Sequence, residues 1–386
     1  MLNKEQKSIY PPQTIGIIGG GQLGRMLAIS TRQMGYKVVV LEPDVNAPAK
    51  YFANEHIIAN YTDKLALTKL AELSDVITTE FENVPAEAIE FLDKLKPVYP
   101  KANAILISQN RLKEKTFFNS LNIKTTQYYP IINIDDINNI DDSIFPAILK
   151  TTTMGYDGKG QIKVINKLEL SDAFNKLNNC ECILEKMLEL NTEVSVIIAR
   201  NNFETVAYPV IENIHKNGIL DISIIPARVD NEIIATAKGY AEAIVTKLDY
   251  IGVLTIEFFI SNDGEVYANE MAPRPHNSGH YSIDASLTSQ FEQQLRSVCN
   301  LKLGDTSSHS CAVMMNILGN IYHIDNDLSP PNWGIILNKY ANIKLHLYEK
   351  EQARTGRKMG HLTLLGNDLD NLITQAHEIK QLWEKR

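Results

Sequence analysis

Cysteine is scarce in this chain, with four among 386 residues. Cys180 and Cys182 form a single Cys-x-Cys pair, while Cys299 and Cys311 stand apart. No second pair or nearby histidine lies at zinc-like spacing, so no structural metal is implied. Reduced thiols in a cytoplasmic protein are the expectation. Long apolar runs are also missing. The most apolar stretch, residues 251–260, carries Glu257 inside it and falls short of the ~20 residues that cross a bilayer. A basic excess is missing too: 38 Lys+Arg against 46 Asp+Glu leave −8. General nucleic-acid or membrane-surface binders need broad positive fields, so neither partner is expected. Residues 1–13 lack the apolar core of a signal peptide and read as a disordered leader.

What is present is an ordinary globular composition, 44% hydrophobic and 22% charged. The chain is too long for one typical core, which predicts two or three domains. Residues 14–112 alternate apolar strands (14–18, 37–41, 76–79) with helical spacing at 22–34, the pattern of a doubly wound parallel sheet. A helical connection at 103–120 joins the first unit to residues 113–303, which then carry strand patterns at 147–150, 161–165, 182–185, 193–199 and 205–210, with helices at 169–177 and 231–248, an α+β arrangement. The Asn/Asp-rich segment 133–142 reads as a surface helix or loop. Residues 304–386 form a smaller unit with β segments at 312–318 and 344–348.

Two glycine-rich turns stand out. Gly19, Gly21 and Gly24 make G-x-G-x-x-G between a strand and a helix, where free amides and small residues admit a phosphate. Glu42, ending the next strand, stands where dinucleotide-binding proteins place a ribose-binding carboxylate. A redox dinucleotide and a substrate phosphate are both open from this turn, with the latter preferred. The second turn, Gly155, Tyr156, Asp157, Gly158, Lys159, Gly160 and Gln161, links two strands and can close over a polyphosphate, with Lys150 as a fixed positive charge beneath it. The apolar strand ending at Glu185, Lys186, Met187 and Leu188 offers a hinge for an adenine, with Glu193 placed for ribose hydroxyls.

Acids inside apolar strands are costly unless paired or bound to a cation. Glu257 and Glu270 lie on strands joined by the Asp263-Gly264 turn, so both can face one cavity and hold magnesium. The proline-stiffened run that follows, from Ala272 through Arg274 to His280, is rich in donors for an anion in transfer. Lys350, Arg354, Arg357 and Lys358 form a basic cluster suited to a phosphate or carboxylate.

The motifs at 20–26, 155–161, 269–280 and 356–361 resemble those of the 5-(carboxyamino)imidazole ribonucleotide synthetases, over nearly the whole chain. The resemblance implies an ATP-grasp ligase: a pre-ATP-grasp parallel-sheet domain, an ATP-grasp domain and a small β-rich C-terminal domain. It implies carboxylation of 5-aminoimidazole ribonucleotide with ATP, Mg2+ and bicarbonate through carboxyphosphate, by a homodimer in the cytoplasm. It places ATP on Arg111, Lys150, residues 155–161 and 185–188, Glu193, His215, Asn269 and Glu270, and Mg2+ on Glu257 and Glu270. The ribonucleotide falls to Gln22, Leu23, Glu82, Arg274, Lys350, Arg357 and Lys358, with Tyr156, Asp157, Arg274 and Lys350 catalytic. Two departures stand out, Thr152-Thr153-Met154 before the glycine loop and Ala353 to Gly356 in the basic turn. The alternatives are another ATP-grasp ligase, such as a formate-dependent glycinamide ribonucleotide transformylase, and an NAD(P)-dependent oxidoreductase or nucleotide-sensing module.

Overall fold

The computed structural model describes residues 7–153, 155, 160–324 and 327–384. Strands β1 (Thr14–Ile18), β2 (Lys37–Leu41), β3 (Glu55–Ile57), β4 (Val76–Thr79) and β5 (Val98–Tyr99) form a parallel sheet ordered β3-β2-β1-β4-β5. Alternate residues of each strand feed different cores. Ile15, Ile17, Val38 and Val40 pack with helix α1 (Gln22–Gln33), whereas Val39, Leu41 and Ile77 pack with α2 (Lys64–Leu73) and α3 (Ala86–Asp93). A period of two with both faces apolar is what a sheet covered on both sides requires.

The expected leader is corrected for residues 7–13. Ile9 is buried, its amide donates to the Cys299 carbonyl at 2.9 Å, and the Tyr36 hydroxyl donates to the Ile9 carbonyl at 2.8 Å. Cys299 lies about three quarters of the chain away, so no local periodicity betrays this contact. Residues 1–6 lie outside the described residues.

The expected helical connection is two helices, α4 (Ala102–Ser108) and α5 (Arg111–Ser120). Asn110 breaks them by capping α5, its side chain accepting from the Lys113 amide at 3.0 Å. A four-stranded sheet follows, ordered β6-β9-β7-β8, from β6 (Tyr128–Ile131), β7 (Ala147–Thr151), β8 (Gln161–Val164) and β9 (Cys182–Lys186), with α6 (Lys167–Lys176) against it. The polar segment at 133–142 is a 3-10 turn over Ile134–Asn139 whose Ile137 enters this core.

The central sheet has nine strands. β10 (Leu190–Arg200) carries the short β11 (Thr205–Ala207) and pairs with β12 (Ile211–Lys216), which leads to β13 (Ile219–Ile225). On its other side lie β14 (Gly252–Ser261) and β15 (Val266–Ala272), packed against α7 (Asn231–Lys247). After α8 (Ser282–Ala285) and α9 (Gln290–Val298), β16 (Cys311–Leu318) pairs directly with β13. The small hairpin β17 (His323–Ile324) and β18 (Asp327–Leu328), α10 (Trp333–Leu337), β19 (Ile343–Leu347), β20 (Lys358–Gly366) and α11 (Leu369–Glu384) complete the chain. β20 and β19 extend the central sheet, so the C-terminal unit is continuous with the middle one through β13 and β16.

Buried His280 and His361, with rings tilted 37° at 4.7 Å, and half-buried His346, stacked on His361, tie the C-terminal unit to the segment before α8. Ligand atoms of Asp284, His346 and His361 lie within 4.8 Å of one another. The His346 and His361 rings are stacked 12° from parallel, however, so their in-plane lone pairs run side by side and do not converge on one point. His346 is instead hydrogen-bonded to Asp284 at 2.7 Å. Among the described residues, no helix is long and apolar enough to cross a membrane.

Candidate active site

A cavity of about 520 Å³ lies between the four-stranded and nine-stranded sheets and the loop after β4. The β14–β15 register sets Glu257 directly opposite Glu270, the paired acids expected from the sequence. Burial, and next the Glu270 charge, push the Glu257 carboxyl up to about 7. Arg111, in the first turn of α5, meets Glu270 at 3.2 Å, and His276 Nε2 lies 3.2 Å from Glu257. Asn269 Oδ1 is buried with no partner among the described residues. Across the strands, His215 pairs with Glu193 at 2.8 Å. Burial alone would lower the His215 pKa, but Glu193 raises it.

Lys150, at the end of β7, lines the cavity and is 8% exposed. Its ammonium lies 3.2 Å from Glu185 Oε2, which also meets Lys115 at 3.4 Å and the Thr126 hydroxyl at 3.2 Å. Burial works to raise the Glu185 carboxyl, but Lys115 and Lys150 overcome it and hold the group at about 2. Glu185 therefore sits beneath the cavity as a counter-ion and does not line it. Lys186, Met187 and Leu188 do not line it either; Lys186 and Met187 donate their amides to the Gln127 and Pro146 carbonyls. Gly155 and Gln161 line the cavity. Gly160 has φ +70, the left-handed region that favours glycine. Tyr156, Asp157, Gly158 and Lys159 lie outside the described residues.

At the other end, Arg274 is ion-paired with Glu82, two predicted residues from distant segments. Burial favours a neutral Glu82, but Arg274 wins and lowers its pKa. Gln109 fixes this loop by donating to the Glu82 and Val84 carbonyls at 2.7 and 2.8 Å. Lys358 reaches the same cavity. Lys350 donates to Gln22 Oε1 at 2.7 Å and to the Lys358 carbonyl at 2.9 Å, joining the first and third units of the chain. Arg357 stays outside the cavity and donates to the Gln352 carbonyl.

The first glycine turn is not an open phosphate cradle. Glu80, 7% exposed, accepts from the Gly21 and Gly24 amides, both at 2.8 Å. Glu42 accepts from the Gly20 amide at 2.8 Å and from the Tyr61 hydroxyl at 2.6 Å. A Cβ on Gly19 would lie 2.5 Å from Glu80 Cγ, and one on Gly21 would lie 2.7 Å from Glu80 Oε1. The glycines thus admit the protein's own carboxylates, and Glu42 is not free for a dinucleotide ribose. This corrects the reading of the whole turn as a phosphate site; only the amides of Gln22 and Leu23 have no acceptor among the described residues.

The structure brings Glu82, Arg111, Lys150, Gly155, Gln161, Glu193, His215, Glu257, Asn269, Glu270, Arg274 and Lys358 onto one cavity. It also adds groups not singled out from the sequence. Glu114 is buried, accepts from the Met271 amide at 2.7 Å and is pushed up to about 8, first by burial and next by Glu270. Its neighbour Lys115 is 1% exposed. The signal available was a charged pair one turn after Arg111, at helical spacing from the apolar Phe118. Glu80, two residues before Glu82, had no signal beyond its place at the end of a strand.

Three family models match in order: a ribonucleotide synthetase preATP-grasp domain over residues 12–109, an ATP-grasp domain over 116–291 and a phosphoribosylaminoimidazole carboxylase C-terminal domain over 312–375. The N5-carboxyaminoimidazole ribonucleotide synthase of Brucella melitensis is 44% identical over 366 residues, 93% of this chain and 98% of that protein. The ADP complex of an N5-carboxyaminoimidazole ribonucleotide synthetase superposes with a TM-score of 0.91 at 41% identity, covering 98% of this chain and 99% of that one. The Aspergillus clavatus enzyme, in complex with ADP and 5-aminoimidazole ribonucleotide, superposes with a TM-score of 0.88 at 27% identity, covering 98% and 100%.

Proposed function

Because the chain belongs to the N5-carboxyaminoimidazole ribonucleotide synthases, ATP-grasp ligases of purine biosynthesis, we propose that its cavity divides into an ATP end and a ribonucleotide end. The reaction joins 5-aminoimidazole ribonucleotide, ATP and bicarbonate to give N5-carboxyaminoimidazole ribonucleotide. The observation that carries the division is that the facing Glu257 and Glu270 share one cavity with the Arg274–Glu82 pair and Lys358.

At the ATP end, Lys150 and Arg111 would meet phosphates and His215, Glu193 and Asn269 the remaining polar groups, while the backbone of the hinge at 185–188, outside this cavity, would meet the adenine. Residues 155–161 would cover the polyphosphate. A magnesium ion fits the acids here. The donors are all oxygens, two carboxylates face each other, and Asn269 Oδ1 lacks a partner among the described residues. Glu257 and Glu270 would hold the ion, which when bound supplies charge neutralisation at the phosphates.

At the ribonucleotide end, Lys350, Arg357, Lys358 and the amides of Gln22 and Leu23 would take the phosphate, and Glu82 a ribose hydroxyl. A bicarbonate oxygen attacks the terminal phosphorus of ATP in line; the bond to the ADP oxygen breaks, leaving carboxyphosphate. Lys150 neutralises charge gathered on the transferred group. Arg274, held by Glu82, anchors carboxyphosphate while the ribonucleotide amine attacks its carboxyl carbon. Phosphate leaves with the bonding electrons and the amine gives up its proton. Tyr156, Asp157 and Lys350 would orient this second step, and the closed loop would exclude water.

Phosphate release measured with bicarbonate and 5-aminoimidazole ribonucleotide, each omitted in turn, tests the reading. Turnover should require both; equal turnover with formate and glycinamide ribonucleotide would overturn it. Arg274→Ala should uncouple phosphate release from carboxylated product, and normal coupling would remove its assignment. A cytoplasmic homodimer completes the proposal, with four cysteines that form no disulfide; a solution mass of one chain would refute the dimer.

A further inference from the structure

We infer that Lys115 is a positioning residue that keeps Lys150 available to a polyphosphate by sharing the carboxylate that would otherwise capture it. The inference rests on the reading of Lys150 as part of the ATP end.

Lys115 lies on α5, fully enclosed, and does not line the cavity. Its ammonium meets Glu185 Oε2 at 3.4 Å and the Ala268 carbonyl on β15 at 3.3 Å. The same oxygen of Glu185 receives Lys150 at 3.2 Å and the Thr126 hydroxyl at 3.2 Å, whereas Glu185 Oε1 is buried with no partner among the described residues. Three donors therefore compete for one oxygen. Both ion pairs are longer than the ~2.7–2.9 Å of a charge-assisted hydrogen bond, so neither lysine is tightly held. Two ammoniums share one carboxylate, with Arg111 close enough to act on both Glu185 and Lys150. This leaves a net positive charge under the cavity floor, and an incoming phosphate can relieve it at Lys150, the one of the two lysines that faces the cavity.

Without Lys115, Glu185 pairs with Lys150 alone. A one-to-one buried pair is short and neutral, and it withdraws the ammonium from the cavity. Lys115 acts on Lys150 only through Glu185, so removing Glu185 as well should return Lys150 to the cavity. A purely structural role predicts the reverse: two buried charge deletions that add or worsen.

The test measures KM for ATP and for 5-aminoimidazole ribonucleotide in Lys115→Met, Glu185→Gln, the double variant and Lys150→Met, with thermal unfolding as the control. Lys115→Met should raise the ATP KM by at least about 10-fold and leave the ribonucleotide KM within about 2-fold, a split that general damage would not give. The double variant should bring the ATP KM back to within about 3-fold of the parent. An unchanged ATP KM in Lys115→Met, or a double variant as impaired as the single one, overturns the inference. If Lys115→Met does not fold, the double variant decides by itself: recovery within about 3-fold supports the inference and a loss of 10-fold or more overturns it. Lys150→Met separates the two levels. If it binds ATP normally, the ATP end itself is misread; if it loses ATP while Lys115→Met does not, only the positioning role falls.

Discussion

The two glycine-rich turns look alike in composition and meet opposite fates. The turn at 19–24 is filled from within, with Glu80 on the Gly21 and Gly24 amides and Glu42 on the Gly20 amide. Of the second turn, Gly155 and Gln161 line a cavity, together with Lys150. Glycine reports that something approaches the backbone closely, but not what approaches it. In the first turn the anion is covalently part of the protein. Beside the second, the charge facing the cavity is the Lys150 ammonium, whose protein anion, Glu185, does not line that cavity. The carboxylates behind the two turns also titrate in opposite directions: burial raises Glu80 despite its two amide donors, whereas paired lysines hold Glu185 at about 2.

The largest effect should come from removing the cation of the second turn. Lys150→Met should lower kcat/KM for ATP by about 10³-fold, on the order of 4 kcal/mol of transition-state binding, read by phosphate release. A loss below about 10-fold would place the phosphates elsewhere. Next is the acid limb of stability. Glu185 has its pKa depressed from 4.5 to about 2, so its contribution is present above pH 4.5 and lost as the pH falls towards 2. That contribution is at most about 3 kcal/mol. Glu185→Gln should flatten the acid limb of an unfolding series between those values, and an unaltered limb would show that the lysines do not govern it.

Glu80 has the reverse sign. With a raised pKa in the fold, its stabilising contribution is complete below the ordinary glutamate value and declines as pH rises through the raised one. Glu80→Gln removes that decline but sets an amide against a backbone donor, so it should cost about 2 kcal/mol near pH 5, with ATP kinetics within about 2-fold. A large rise in the ATP KM would tie the first turn to the nucleotide after all. The smallest effect should be Gly21→Ala. Its Cβ would lie 2.7 Å from Glu80 Oε1, and the side chain's shift should cost about 1 kcal/mol, read as a modest fall in Tm. In the parent chain, an NADH fluorescence titration should give no saturable binding, because Glu42 and Glu80 occupy the amides a dinucleotide would use.

Three strands of the parallel sheet and the helix after the first were legible as short apolar runs and helical spacing; β3 and β5, three and two residues long, are too short to carry a pattern. The facing acids were legible because Asp263-Gly264 forces a hairpin, and a hairpin sets Glu257 opposite Glu270. Strands β12 and β13 escaped notice, since residues 211–225 mix polar and apolar positions around an Asn217-Gly218 turn. The break before Arg111 depended on a single side-chain cap from Asn110, which periodicity does not register.

Sequence alone determined the order of the domains and the acids that face each other, because these follow from local pattern, turn chemistry and motif. Tertiary structure alone decided which partner each charge meets. Arg274 with Glu82, Lys350 with Gln22, Lys115 and Lys150 with Glu185, and Glu80 with the Gly21 amide all join segments far apart in the chain. A linear pattern records where a charge is, but its free energy depends on what burial removes and which partner replaces water, and both are properties of the folded chain.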